Sequence, residues 1–160
     1  MQEYFRWVFQ INNINTMLLQ LFKEEILEAD NKDKVTPINN RFQARNHYIE
    51  AIDVDVFWKQ PSTLLEIFLL LAQTPELRGI RADTGRALLQ HCDLIDSEFR
   101  TDIRNTSIFM ELLRSPLGVH SNLKLMNRFG ILGRYIPEFG KVIGQMQYDL
   151  FHAYTVDAHT

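Results

Sequence analysis

The sequence predicts an all-α fold, an irregular bundle of about six to eight helices with room for one small β-hairpin near residues 42–51. Apolar residues recur at helical spacing along most of the chain, and scattered prolines and glycines divide it into short pieces. The sequence has no internal repeat of about 20–50 residues, so a solenoid is not expected. With 160 residues, 46% of them hydrophobic and 23% charged, the chain can bury the core of one domain.

The first 29 residues predict one long helix. Apolar side chains follow a spacing of three and four, at Tyr4, Trp7, Ile11, Ile14 and Leu18. Further apolar residues widen this stripe, so a core helix covered on more than one side is the favoured interpretation. Two alternatives remain open: a coiled-coil seam between two copies, and packing against a part of the protein that lies outside this sequence.

Residues 30–37 (DNKDKVTP) are polar and end in proline, which predicts a loop. The following stretch has no helical period and predicts two short strands, 42–45 and 48–51. The turn between them falls on Asn46 and His47. Asparagine tolerates the positive φ that a tight hairpin requires, whereas histidine is a poor second turn residue.

From residue 53 onward the pattern predicts only short helices. Prolines and capping side chains mark the predicted helix starts, at Pro61, Thr74, Asn105 and Pro137. Another helix is expected over 81–92. Glycine or a Ser-Pro pair marks the predicted helix ends, at Gly79 and Ser115.

Motifs with known chemistry are few in the sequence. It contains no glycine-rich phosphate loop and no Gly-x-Ser-x-Gly elbow. Cys92 is the sole cysteine, so an internal disulfide is excluded and a buried structural role is favoured. Asp53 and Asp55 have the spacing of a metal-binding aspartate pair, but Asp55 is better placed to cap a helix at Val56.

Net charge and the length of the apolar runs argue against binding to nucleic acid and against a membrane-spanning segment. A formal net charge of −3 argues against a nucleic-acid binder, and the longest apolar run, residues 64–72, is too short to span a membrane. The first residues do not form a signal peptide, so a cytoplasmic protein is expected. Arg81 and Arg86 could line a phosphate cleft, but the carboxylates around them favour an ion-paired surface.

The C-terminal residues include a weak metal-ligand pattern. Asp149, His152 and His159 fall near one face if a single helix continues through them. Carboxylate and imidazole groups together suit a metal ion used in hydrolysis. Taken alone, an ordinary polar helix face explains the pattern better.

Residues 126–139 (MNRFGILGRYIPEF) and 144–160 (GQMQYDLFHAYTVDAHT) closely resemble one known family. It is the family of bifunctional uridylyltransferase/uridylyl-removing enzymes that modify the PII nitrogen-signal protein. The resemblance is strong after residue 126 and looser before it.

The resemblance implies a domain organisation. Members of the family carry a nucleotidyltransferase domain, a helical region, a metal-dependent HD hydrolase domain and two ligand-sensing ACT domains. Residues 1–146 then correspond to the helical region, and 147–160 to the start of a truncated HD domain. His159 takes the place of the first HD histidine, as one metal ligand of an incomplete site. Ala158 replaces a glutamate that is usual in the family.

The resemblance also implies a function for the parent enzyme. It would transfer UMP from UTP to a tyrosine of PII and remove it by hydrolysis in response to glutamine, with Mg²⁺ or Mn²⁺ serving both steps. The present chain is expected to hold no catalytic residue and no cofactor, and to act as a spacer between the flanking domains. In isolation its first helix would expose an apolar patch and favour a homodimer.

Two other interpretations remain open. The chain could be a free-standing helical module for protein–protein interaction. It could also be the comparable helical region of a glutamine synthetase adenylyltransferase. The DLFHAYTVD run argues against the adenylyltransferase, because in the resembling family that run leads into an HD domain.

Overall fold

The computed structural model describes residues 2–27 and 34–143 and is mainly helical. Its helices are α1 (Gln2–Leu27), α2 (Val56–Lys59), α3 (Thr63–Gln73), α4 (Ala82–His91), α5 (Ser97–Thr101), α6 (Ile103–Arg114), α7 (Val119–Arg128), α8 (Ile131–Tyr135) and α9 (Pro137–Val142). Its strands are β1 (Val35–Pro37), β2 (Phe42–Arg45), β3 (Tyr48–Ala51) and β4 (Gly79–Ile80). A 3₁₀ turn over Cys92–Leu94 follows α4.

The predicted hairpin is confirmed. Strands β2 and β3 pair antiparallel, with Arg45 opposite Tyr48 next to the turn. Asn46 and His47 both have positive φ, at 50° and 70°. Positive φ at both central residues defines the turn that matches the natural twist of a hairpin. The histidine therefore adopts the left-handed conformation in spite of its low preference for it.

The all-α prediction needs correction, because the hairpin is part of a four-stranded sheet with the order β1-β2-β3-β4. Strand β1 pairs antiparallel with β2, so the predicted loop is wrong over Val35–Pro37. Strand β4 pairs parallel with β3, so Gly79 lies in a strand and does not end a helix. The helix predicted from Thr74 is also wrong, because the residues between α3 and β4 form only a turn, in which the Leu77 N–H donates to the Thr74 carbonyl.

The main core forms around α3, which packs against α2 and the later helices, while α4 packs against the sheet. Helix α3 contacts α6 and α7, and its Leu64, Leu65 and Phe68 are fully buried. Phe42 of β2 contributes from the sheet side and contacts the ring of Phe57. Each fully buried side chain of this size stabilises the fold by about 1.5–3 kcal/mol.

The start of α6 differs from its prediction. Its cap is Asp102, whose side chain accepts a hydrogen bond from the backbone N–H of Arg104. Asn105, the predicted cap, lies within the helix and is 3% exposed. Its side-chain amide donates to the carbonyl of Phe99, so it joins α5 to α6. The helix ends before Ser115, and α9 begins at Pro137, as predicted.

Helices α8 and α9 meet at two glycines. A Cβ atom on Gly140 would lie 2.6 Å from the carbonyl oxygen of Gly133, which is too close for two non-bonded atoms. The reverse approach is also tight, because a Cβ on Gly133 would lie 3.1 Å from the Cα of Gly140. The absence of both side chains is what allows these two backbones to pack.

Helix α1 forms as predicted as far as Leu27, but it is not a core helix. It packs along one side against α4 and leaves most of its apolar residues in solvent. Among the described helices, none combines the length and the apolar character needed to cross a bilayer.

Candidate functional site

The side of α1 that faces the domain carries polar side chains beside Met17, which packs against the hydrophobic core. The side-chain amide of Asn13 donates to the carbonyl of Arg128 at 2.8 Å. Nearer the end of the helix, Gln20 donates to Glu24 at 2.8 Å. The Glu24 carboxylate accepts from the backbone N–H of Ala82 at 3.0 and 3.2 Å. Hydrogen bonds therefore contribute much of what attaches α1.

Glu24 is also part of a charged network below α1. Its carboxylate lies 3.4 Å from Arg81, which lies 3.4 Å from Glu50 in turn. Glu50 also accepts hydrogen bonds from Arg45 at 2.9 Å and from Gln43 at 2.6 Å. Glu24 is only 8% exposed, and a buried carboxylate is tolerated when such partners surround it. The network fixes the position of α1 relative to the sheet and α4.

The opposite side of α1 is apolar and exposed. Its nine large apolar side chains have exposed fractions between 43% and 68%. We call this the outer face of α1, and it consists of Tyr4, Trp7, Val8, Ile11, Ile14, Leu18, Leu19, Phe22 and Ile26. An amphipathic helix on a globular domain normally turns its apolar side inward. The polarity of α1 is therefore inverted relative to the domain that carries it.

A cleft of about 470 Å³ opens between α1, the β4 segment and α7. Its walls include the apolar side chains of Ile80, Leu125 and Phe129. Arg78 and Arg128 also line it, both are exposed, and neither forms an ion pair with another described residue. The cleft could accept an anionic group, but it contains no cluster of metal-binding side chains among the described residues.

The less favoured alternative, a phosphate cleft formed by Arg81 and Arg86 together, is not found, because only Arg81 lines the cleft. Arg81 is mostly buried and its charge is balanced by Glu24 and Glu50. Arg86 lies on the surface, 3.5 Å from Asp83 one turn away. The alternative of an ion-paired surface describes Arg86 correctly, whereas Arg81 has a buried structural role.

Asp53 and Asp55 form a local turn in which Asp53 accepts from the backbone N–H of Asp55 at 2.9 Å and from Lys59 at 2.7 Å. The hydrogen bond from Lys59, followed by the one from the Asp55 backbone, lowers the pKa of Asp53. Asp55 occupies the N-cap position of α2, as predicted, but its side chain makes no capping hydrogen bond. The pair stabilises this turn.

The single cysteine lies at the end of α4. Cys92 is 6% exposed and its thiol donates to the carbonyl of Leu89 at 3.0 Å. Burial raises the pKa of this thiol above its ordinary value. The neighbouring His91 hydrogen-bonds through Nδ1 to the carbonyl of Ala87 at 2.8 Å. Because a raised pKa suppresses the nucleophilic thiolate, the structural role expected for Cys92 is supported.

The metal ligand predicted at His159 lies outside the part of the chain that the structure describes. Asp149, His152, Ala158 and His159 all lie outside the described residues. Residues 2–27 and 34–143 contain no group of three or more histidine, cysteine, aspartate or glutamate side chains able to hold a metal ion.

Sequence reasoning missed Asn13 and Glu24, which attach α1 to the domain, and Gln20, which donates to the Glu24 carboxylate from within the same helix. Their spacing of seven and four places them on one side of the helix, opposite the apolar stripe. That polar stripe was a usable signal. It was hidden because an apolar stripe is normally taken to be the side that faces the core.

These features define a class of protein: a helical domain with a small sheet and an attached helix whose apolar face is uncovered. The chain belongs to the family described as the uridylyltransferase GlnD third domain, whose model matches residues 42–135.

Similar proteins extend the match to the whole chain. It is 56% identical over 160 residues to the bifunctional uridylyltransferase/uridylyl-removing enzyme of Pseudomonas aeruginosa strain LESB58. The proteins of the same name from Pseudomonas fluorescens Pf-5 and Pseudomonas putida W619 are 55% and 54% identical. In each case all of this chain is matched, and it spans 18% of the relative's length. No solved structure matches the chain. The resemblance found in the sequence is confirmed.

Proposed function

We propose that this chain is the helical region of a bifunctional uridylyltransferase/uridylyl-removing enzyme. The parent would transfer UMP from UTP to a tyrosine of PII and hydrolyse it off again according to glutamine level, in the cytoplasm. The observation that carries the proposal is 56% identity over the full chain to a bifunctional uridylyltransferase/uridylyl-removing enzyme. A free-standing interaction module gains no support from these relatives.

Within the parent, the proposed role of residues 1–146 is to hold the two catalytic domains apart. The buried network around Glu24 supports this role, because it couples α1 to the sheet and to α4 through several partners at once. A spacer must transmit position, and a helix fixed in this way has a defined direction. Catalytic groups, metal ions and UTP would be held by the flanking domains. Residues 147–160 would begin the hydrolase domain.

The proposal is tested by comparing the 160-residue chain with the full-length polypeptide that carries it. Radiolabelled UTP and purified PII report UMP transfer, and labelled PII reports UMP release. The full-length protein should perform both reactions and the 160-residue chain neither. Release of UMP by the chain alone would refute the spacer role, and a full-length protein without either reaction would refute the assignment of the parent.

A single substitution tests the proposed metal ligand. His159→Ala in the full-length protein should abolish UMP release and leave UMP transfer intact, because only the hydrolase would lose a ligand. His120→Ala is the matched control, since His120 is an exposed residue of α7. Equal release rates in the two variants would remove His159 from the proposed site.

A further inference from the structure

The inverted polarity of α1 points to a docking surface. Polar Asn13, Gln20 and Glu24 face the domain, and the apolar outer face is turned to solvent. The outer face runs from Tyr4 to Ile26, which is about 33 Å along the helix axis. Monomeric proteins seldom expose a continuous apolar surface of this length, and such surfaces mark sites of contact with another protein surface or with a membrane.

The spacing of the outer face indicates what kind of surface covers it. Tyr4, Trp7, Ile11, Ile14 and Leu18 follow one another at alternating intervals of three and four residues. This is the spacing by which one helix packs along another. A helix with an apolar stripe of its own therefore fits the outer face.

The location of α1 along the chain indicates where that helix comes from. The third-domain family model begins at residue 42, so α1 precedes the matched domain. The long relatives nevertheless match this chain over its full length, α1 included, and the chain spans only 18% of them. Because the matched family is that of a third domain, other domains precede it in the proteins that carry it. Helix α1 thus lies between the third domain and the one before it.

A covalent connection favours this neighbour over a second copy of the chain. A segment tethered to the start of α1 meets the outer face at an effective concentration of about a millimolar. A second copy has to compete at its own, lower concentration.

We propose that the outer face of α1 docks on an apolar helix of the domain that directly precedes it in the full-length polypeptide. This inference rests on the proposed function, because it takes the parent to be the long enzyme. Helix α1 then belongs to two units at once: its polar side is held by the third domain and its apolar side by the preceding one. It fixes the direction in which the two domains are joined.

Photo-crosslinking in the full-length polypeptide tests this docking. The crosslinker p-benzoylphenylalanine replaces Ile11 or Leu18 on the outer face, and Lys23 as the matched control. Lys23 is also exposed on α1 but lies off the outer face. We expect crosslinks from Ile11 and Leu18 to segments that precede this chain, at several-fold higher yield than from Lys23. A mixture of isotopically light and heavy protein identifies crosslinks within one molecule.

Three outcomes would overturn the proposal. These are crosslinks mainly between light and heavy molecules, crosslinks mainly to segments that follow residue 143, and equal low yields from all three positions. Helical circular dichroism of each labelled protein reports whether it is folded, and UMP transfer by the unlabelled protein tests the proposed function. If the full-length protein transfers no UMP but the crosslinks map upstream, the proposed function fails and the docking stands. If transfer is normal and the crosslinks map elsewhere, only the docking fails.

Discussion

Removal of the Glu24 carboxylate should release α1 from the domain. In the 160-residue chain, Glu24→Ala removes the acceptor for the Ala82 backbone N–H and one of the two carboxylates beside Arg81. Breaking a buried ion pair costs about 3–5 kcal/mol when the remaining charge is left without a partner. Arg81 keeps Glu50, so the expected loss is smaller, about 2–3 kcal/mol.

Glu24→Gln divides this loss into two parts. The glutamine side chain can still accept from the Ala82 N–H but carries no charge. The expected cost is therefore about 1 kcal/mol. Glu25→Ala is the matched control, because Glu25 is the next residue and is exposed. Exposed substitutions of this kind change stability by about 0.5 kcal/mol or less.

Urea unfolding followed by helical circular dichroism measures the free energy of unfolding of the unsubstituted chain and of the three variants. The expected order of destabilisation is Glu24→Ala, then Glu24→Gln, then Glu25→Ala. Hydrogen exchange along α1 adds a local measurement, since release of the helix raises exchange there first. Equal stability of Glu24→Ala and Glu25→Ala, with unchanged exchange in α1, would refute the role given to the buried network.

Three further predictions concern the rest of the described structure. Gly140→Ala should destabilise the 160-residue chain by about 1–3 kcal/mol in urea unfolding, because the new Cβ would lie 2.6 Å from the Gly133 carbonyl oxygen. The pKa of Asp102 is lowered, first by the Arg104 backbone N–H that its carboxylate caps. The stabilisation by the Asp102 carboxylate is therefore present at neutral pH and is lost as the pH falls below 3.8. In Asp102→Asn, this part of the pH dependence of unfolding should be absent. Burial raises the pKa of the Cys92 thiol, so alkylation by iodoacetamide should be slow in the native chain and should accelerate on unfolding.

Each of these predictions can be contradicted by a specific result, and the glycine prediction also has a matched control. Gly79→Ala should be nearly neutral, because the added Cβ would make an ordinary contact at 3.5 Å with the ring of Tyr48. Equal effects at Gly140 and Gly79 would argue against the tight α8–α9 contact. If Asp102→Asn unfolds in acid with the same pH dependence as the unsubstituted chain, protonation of Asp102 does not contribute to the loss of stability. Fast native alkylation of Cys92 would mean that its thiol is accessible.

The local pattern was sufficient to predict several elements. The ends of β2 and β3 and the turn at Asn46 and His47 were predicted because turn preference and the loss of helical period coincide there. Helix α1 was predicted from a long apolar stripe, and the start of α9 from Pro137. In each case the signal lies within a few neighbouring residues.

Elements held by distant partners were missed. Strand β4 has only two residues and exists because its backbone pairs with Tyr48 and Ile49, some thirty residues earlier along the chain. Strand β1 is the exposed tripeptide Val35–Pro37 and is defined by its pairing with β2. Neither strand carries the alternation by which a strand is recognised in a sequence.

The sequence by itself determined the family, the helical character and the location of α1, because all three follow from residues close together in the chain. Only the tertiary structure decided which side of α1 faces the domain. An apolar stripe shows that a helix will be covered but does not show by what, since burial depends on which surfaces meet in space. In this protein Glu24 and its partners hold the polar side of the helix inward, and the apolar side is left for another surface.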